Sequence, residues 1–248
     1  MSLYIISDLH LCREKPEITA ALRRFCAGLR QGDRLLIAGD LFDFWVGWHG
    51  ADPLQRELAG LLKELQSRGI PCAFICGNRD FLMSKRDAAR LHFTLQPEYV
   101  VKECGGKKVL IIHGDELCSN DLGFQKFKAF SQNPLMRMIF RLLPYRLRIA
   151  MGLKARHKSM NLAASRLKDA RRYGLIPETA AALMQQYGCS ILIHGHFHHC
   201  GRHEDDPAPG LTRIDCGCWE ENLSWARLTD TGIELKQQPL RAPAESKT

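Results

Sequence analysis

The chain has 248 residues, of which 45% are apolar and 25% charged, and it carries a formal net charge of +8. These values are ordinary for a soluble globular protein with enough chain for one large domain or two small ones. They exclude a spanning helix, since no run reaches the roughly 18 uninterrupted apolar residues required; a secretory signal, since the first apolar run lacks a basic lead and meets Asp8 almost at once; and a disulfide scaffold, since ten cysteines without a CxxC pair read as reduced thiols of a cytosolic protein.

In chain order, the first half alternates short β-like apolar runs with helical stretches. Residues 3–6, 35–38, 72–76 and 109–112 read as strands, and residues 17–29 and 53–66 show apolar residues at helical spacing. Pro16 and Pro53 suit the first turns of those two helices. Strand, helix, strand repetition predicts an α/β core with parallel strands. From residue 122 to 168 the rhythm breaks: the segment has no Asp or Glu and eleven Lys or Arg, more than the net charge of the whole chain. Such a segment must face something anionic. Leu, Met, Ile and Phe interleave with its arginines, and Pro134 and Pro144 divide it into about three helices. Residues 121–172 are therefore expected to form a basic helical insertion within a single domain spanning 1–248. A further β-like run at 190–193 follows. Turn signals at Asp205-Asp206-Pro207 and Pro209-Gly210 come next, and runs at 211–216, 223–228 and 232–235 read as a closing β-meander. The tail from Gln237 is expected to fray.

Seven side chains able to hold a metal fall where the strands end: Asp8, His10, Asp40, Asn78, His113, His196 and His198. Asp8 and His10 are two apart, as are His196 and His198, so an extended segment would point each pair to one side. Asp40 is the natural bridging carboxylate, and Gly77 permits close approach at Asn78. Each cluster alone is unspecific, because a Gly-Asp is usually a turn and a lone His a satisfied structural group. Their recurrence after one strand-like run after another reverses that reading. Groups at the carboxyl ends of parallel strands converge in one crevice. Carboxylate and amide oxygens mixed with imidazole nitrogens suit Mn²⁺ or a similar divalent ion. Seven such groups are too many for one catalytic ion that keeps an open position, which points to a two-metal hydrolase.

In order, Asp8-Leu9-His10, Gly39-Asp40, Gly77-Asn78-Arg79-Asp80, His113-Gly114-Asp115 and Gly195-His196-Phe197-His198 resemble the motifs of the calcineurin-like metallophosphoesterases. Gly77-Asn78-Arg79-Asp80-Phe81-Leu82 and His113-Gly114-Asp115 with Leu117-Cys118 are similar, within that family, to the lipid A pathway branch acting on UDP-2,3-diacylglucosamine. The similarity runs over nearly the whole chain. The resemblance implies a four-layer α/β/β/α sandwich whose helical insertion serves as a lid. It implies two Mn²⁺ ions bridged by Asp40, with Asp8, His10 and His198 completing one site and Asn78, His113 and His196 the other. Substrate contacts are implied at Asn78, Arg79, Asp121, Ser159 and His196, with Arg166 standing in for a lysine of relatives. The implied reaction splits the pyrophosphate bond at the α-phosphorus, giving UMP and 2,3-diacylglucosamine 1-phosphate. The implied setting is cytoplasmic and peripheral on the bacterial inner membrane, with a lipid-linked sugar nucleotide and an anionic surface as partners, no nucleic acid and no obligate protein partner.

Arg79 stands where many metallophosphoesterases carry a histidine able to protonate an alkoxide. A guanidinium is a very poor proton donor. It can still stabilise a phosphate leaving group, whose second pKa is about 6, so Arg79 favours a pyrophosphate over a phosphomonoester. The insertion fits the same substrate, since interleaved aliphatics and arginines supply cover for acyl chains and cations for a diphosphate. The chief alternative is a phosphodiesterase acting on nucleic acid or cyclic nucleotides, but aliphatic density suits acyl chains better than base stacking. A scaffold that kept the fold without its chemistry would not retain all seven groups.

Overall fold

The computed structural model describes residues 1–166 and 174–240, with side chains for 1–157 and 174–240. Two mixed β-sheets stack face to face. The first has the order β11-β10-β1-β2-β3-β4, and the second β5-β6-β7-β9-β8; short α3 (Lys85–Arg90) leads into β4 (Thr94–Leu95), and β5 is Val100–Cys104. Strands β1 (Leu3–Ile6), β2 (Arg34–Ala38) and β3 (Cys72–Ile75) run parallel, linked by α1 (Pro16–Gly28) and α2 (Pro53–Ser67). Pro16 and Pro53 occupy the first turns of these helices, and Asp52 caps α2 by accepting from the amides of Leu54 and Gln55. In the second sheet β6 (Lys107–Ile111), β7 (Ile191–His194) and β9 (Thr212–Asp215) are parallel neighbours.

The two-residue period of a strand explains the layering. Leu35 and Ile37 point to the α1/α2 side, where they pack with Leu22 and Leu62, while Leu36 points to the other sheet. Val109 and Ile111 meet Leu36 and Ile5 between the sheets. Leu110, Ile112 and Leu192 face outward onto Ala180 and Met184 of α7 (Pro177–Gln186). Strands buried on both faces must be apolar throughout, which is why they read as continuous runs. The result is the expected α/β/β/α sandwich.

Two expectations need correction. The closing segment is not one meander. Strand β8 (Gly201–Glu204) pairs with β9 in the second sheet, whereas β10 (Asn222–Leu228) crosses to lie antiparallel to β1 and β11 (Ile233–Pro239) pairs with β10. The chain does not fray at Gln237 either, because Gln237 and Gln238 stand opposite Ser224 and Leu223 in that ladder and Leu240 is buried. Backbone pairing holds this strand where side-chain hydrophobicity gave no sign of it.

Between β6 and α7 lie α4 (Leu122–Gln132), α5 (Pro134–Leu142) and α6 (Tyr145–Arg166). Neither α4 nor α5 buries a residue. Among the described residues, ten of the twelve large apolar side chains that are exposed belong to 122–153, with Leu142 78% and Leu122 67% accessible. No described helix is long and apolar enough to cross a membrane.

Candidate metal centre

Every predicted cluster occupies the loop leaving the carboxyl end of a strand: β1 for Asp8 and His10, β2 for Asp40, β3 for Asn78, β6 for His113, and β7 for His196 and His198. Parallel order within each sheet puts these loops on one edge of the sandwich. The route by which the side chains converge differs from the alternation expected of extended chain. Asp8 (φ 54°), His10 (φ 49°), Asp40 (φ 51°), His196 (φ 69°) and His198 (φ 65°) all adopt left-handed backbone. For a residue with a Cβ this conformation costs about 1–3 kcal/mol and persists only where its surroundings over-determine it. Here neighbouring loops do so: the amides of Asp8, His10 and Leu11 donate to the carbonyls of Gly39, Asp40 and Leu41 at 3.1, 3.0 and 2.9 Å.

The seven side chains meet. Asp8, His10 and His198 offer ligand atoms within 4.8 Å of one another, and so do Asp8, Asp40 and His113. Asp8 thus belongs to both groups. Oδ1 of Asn78 lies 2.9 Å from Nε2 of His113 and 3.0 Å from Nδ1 of His196. Nε2 of His10 faces Nε2 of His198 at 3.3 Å, and the latter is 3.3 Å from Oδ1 of Asp8. Nitrogen facing nitrogen beside a buried carboxylate is an arrangement that a shared cation satisfies more fully than a single proton. The donor set of carboxylate, amide oxygen and imidazole fits a hard or borderline divalent ion.

The field agrees with that chemistry. Burial opposes a charge on His113, but Asp40 and Asp8 overcome it and raise the imidazole to about 9. Burial likewise opposes charge on His198, while its contacts with Asp8 and Cys218 lift it to about 10. Asp8 is fully buried, which works to raise its carboxyl, yet His198, His113 and His10 hold it well below the usual range. Burial, with the charges of Arg79 and His113, pushes His10 and His196 the other way, well below the ordinary imidazole range, so two of the four rings favour a charge and two stay neutral.

Around this cluster, Arg79 is fixed twice. Its backbone amide donates to Oδ1 of Asp40 at 2.9 Å, and its guanidinium reaches Oδ2 of Asp40 at 3.2 Å and Asp43 at 2.9 Å. Asp121 is buried and caps α4 through the amide of Phe124. Ser159 and Arg166 lie on the backbone of α6, and their side chains fall outside the described residues.

Asp80 is a residue that sequence reasoning left without a role. It accepts from the amides of Gly77 (2.6 Å) and Leu41 (2.8 Å), stapling the Asp40 loop to the Asn78 loop. Burial and the charge of Asp40 push its carboxyl up to about 7. Its place at the end of Gly-Asn-Arg-Asp was the available signal. Two glycines also become explicable, since a Cβ on Gly77 would stand 2.3 Å from Oδ1 of Asp40 and one on Gly195 2.1 Å from Oδ2 of Asp8.

Residues 1–200 match the calcineurin-like phosphoesterase family. UDP-2,3-diacylglucosamine hydrolase of Edwardsiella ictaluri is 38% identical over 99% of this chain and 95% of its own length. The chain belongs to the calcineurin-like phosphoesterases. Proteins of the same name from Escherichia coli O139:H28 and Shigella flexneri are 40% identical over 96% of this chain and their full length. Membership of this phosphoesterase family accounts for the clustered carboxylates and imidazoles as a centre for divalent metal ions.

Proposed function

We propose that this phosphoesterase hydrolyses the pyrophosphate bond of UDP-2,3-diacylglucosamine, releasing UMP and 2,3-diacylglucosamine 1-phosphate for lipid A synthesis. The observation carrying this is the meeting of Asp8, His10, Asp40, Asn78, His113, His196 and His198 in one crevice beside Arg79, in a chain nearly collinear with hydrolases of that name. Asp8, His10, Asp40 and His198 would hold one Mn²⁺, and Asp40, Asn78, His113 and His196 the second, with Asp8 near enough to serve either. When bound, the ion pair supplies the Lewis acidity that acidifies the attacking water and offsets phosphoryl charge.

The chain's own groups do the rest. Arg79, held by Asp40 and Asp43, presents a fixed cation and hydrogen-bond donor to the departing phosphate. Substrate contacts at Asn78, Arg79, Asp121, Ser159, Arg166 and His196 follow from the family resemblance. Residues 121–172 form the lid in this reading, of which 167–172 lie outside the described residues. The exposed aliphatics of α4 to α6 and the outward Lys126, Arg146 and Lys154 suit an anionic bilayer surface, which supports a peripheral position on the cytoplasmic face of the inner membrane. Exposure that is aliphatic at all but Phe127 and Phe130 among the described residues of the segment disfavours a nucleic-acid substrate.

The test is incubation of the purified protein with UDP-2,3-diacylglucosamine and Mn²⁺ in detergent, following UMP. Cleavage of RNA or bis(p-nitrophenyl) phosphate in preference to the sugar nucleotide would overturn the assignment.

A further inference from the structure

Helix α6 of the insertion is fastened to the loop that follows Asp40. His49 stacks on Tyr145 at 4.1 Å with 11° between the rings, Arg148 donates to the carbonyl of Val46, and the carbonyl of Arg79 accepts from the amide of Trp45 at 2.9 Å. Gly152 brings the helix so near that a Cβ there would stand 2.7 Å from the ring of Phe44. At the inner end of this seam sits Asp43. One of its oxygens lies 2.9 Å from Nη1 of Arg79, and Nε of Arg156 on α6 lies 2.8 and 2.9 Å from its two oxygens. Its own amide donates to the carbonyl of Leu11 at 3.1 Å, so the backbone that carries the carboxylate is itself pinned to the loop holding His10.

Two guanidiniums drawn to one place repel each other, and the repulsion grows as water is excluded. A carboxylate between them removes that penalty and sets their spacing. Resting on the diphosphatase reading, we propose that Asp43 is a positioning residue. It holds Arg79 of the core and Arg156 of the insertion side by side, so that the substrate diphosphate meets a paired cation site already joined to α6. Asp43 touches neither substrate nor metal in this scheme and acts through the two arginines. With Asp43 gone, Arg79 keeps its tie to Asp40 while Arg156 loses the carboxylate that it meets among the described residues.

The experiment is a double-mutant cycle on the full-length chain loaded with Mn²⁺, with UDP-2,3-diacylglucosamine as the substrate. Misplacing a group in a phosphoryl-transfer site costs up to about 10²-fold. Asp43→Asn is therefore expected to lower kcat/KM by about 30-fold in the wild-type background and by less than about 3-fold in Arg156→Gln. Asp43→Glu should restore most of the loss. Hydrogen exchange of substrate-free protein gives a readout independent of turnover: amides of residues 145–157 should exchange faster in Asp43→Asn and in Arg156→Gln, and no faster in the double variant. Mn²⁺ content and the thermal melt report whether the variants remain folded. Equal losses in both backgrounds, or unchanged exchange in α6, would overturn the proposal. Failure of the wild type to cleave the sugar nucleotide would instead overturn the functional reading, and the exchange arm would still decide whether Asp43 joins α6 to the core.

Discussion

Asp8 and His198 are 190 positions apart, yet Oδ1 of the carboxylate lies 3.3 Å from Nε2 of the imidazole. The other oxygen of Asp8 accepts the backbone amide of His196 at 2.8 Å. The first strand's loop and the seventh strand's loop thus share one fully buried carboxylate, and this contact brings the two sheets' contributions into one site.

Gly195 is what lets that contact form. A Cβ there would stand 2.1 Å from Oδ2 of Asp8 and 2.4 Å from Oγ of Ser7, so Gly195→Ala must push Asp8 out of place. The variant should fold with a loss of about 1–3 kcal/mol, as expected of overpacking, and should bind Mn²⁺ at least about tenfold more weakly by calorimetric titration. Gly60→Ala in α2, where a Cβ meets nothing within 4 Å, is the control and should gain about 0.5–1 kcal/mol. Equal Mn²⁺ affinity in wild type and Gly195→Ala would show that Asp8 does not bind metal.

How much of this was legible beforehand depended on burial. The strands that surfaced as apolar runs, β1, β2, β3, β6 and β7, are interior and covered on both faces, so their composition had to declare them. Those that went unseen, β4, β5 and β8, lie at sheet edges, where Lys102, Glu103 and Arg202 serve as well as any apolar residue because the backbone ladder does the holding. The site residues were legible because chemistry restricts which groups can gather at a metal. Their geometry was not, since left-handed turns at Asp8, His10, His196 and His198 depend on hydrogen bonds between distant loops. Asp80 and Asp43 received no role from the sequence for the same reason: each acts through a partner remote in sequence.

Metal should stabilise the fold as well as enable catalysis. Saturation at about 1,000 times Kd adds about 4 kcal/mol to a folded state that alone binds the ligand. For a chain of this size that corresponds to a rise in Tm of roughly 8–16 °C. Scanning calorimetry with EDTA and with MnCl₂ should show this difference in wild type, and Asp40→Asn should abolish most of it. A Tm indifferent to Mn²⁺ would leave the cluster without its cations.

Membrane association should depend on the outward basic residues and not on all eleven. Arg137 and Arg141 donate to the carbonyls of Met83 and Leu82 at 2.8 and 2.7 Å, and Arg148 to that of Val46, so charge reversal there would undo docking of the insertion. Lys126, Arg146 and Lys154 are exposed. Each basic residue near an anionic surface contributes about 1 kcal/mol. Replacing these three by Glu should therefore cut partition onto phosphatidylglycerol vesicles by about two orders of magnitude or more in low salt, with the melt unchanged. Undiminished sedimentation with vesicles would remove the surface role.

Lys128 offers a prediction about stability and its pH dependence. From α4 its ammonium reaches Asp115 at 3.0 Å and Glu116 at 3.3 Å, and all three side chains are largely buried. Lys128→Met leaves two carboxylates facing each other without a cation, a change worth about 3–5 kcal/mol near neutral pH. Burial and the charge of Asp115 already hold the Glu116 carboxyl above its ordinary range, with Lys128 opposing them. A carboxyl raised in the folded state binds its proton more readily there than in the unfolded chain. It favours folding below its unfolded pKa and ceases to do so as the pH climbs through the folded value. Without Lys128 the folded value rises further, so the deficit of Lys128→Met should shrink as the pH falls from about 7 to about 5. Urea melts of both proteins at the two pH values measure this, and a deficit that stays constant or grows on acidification would mean that Glu116 is not the group left unpaired.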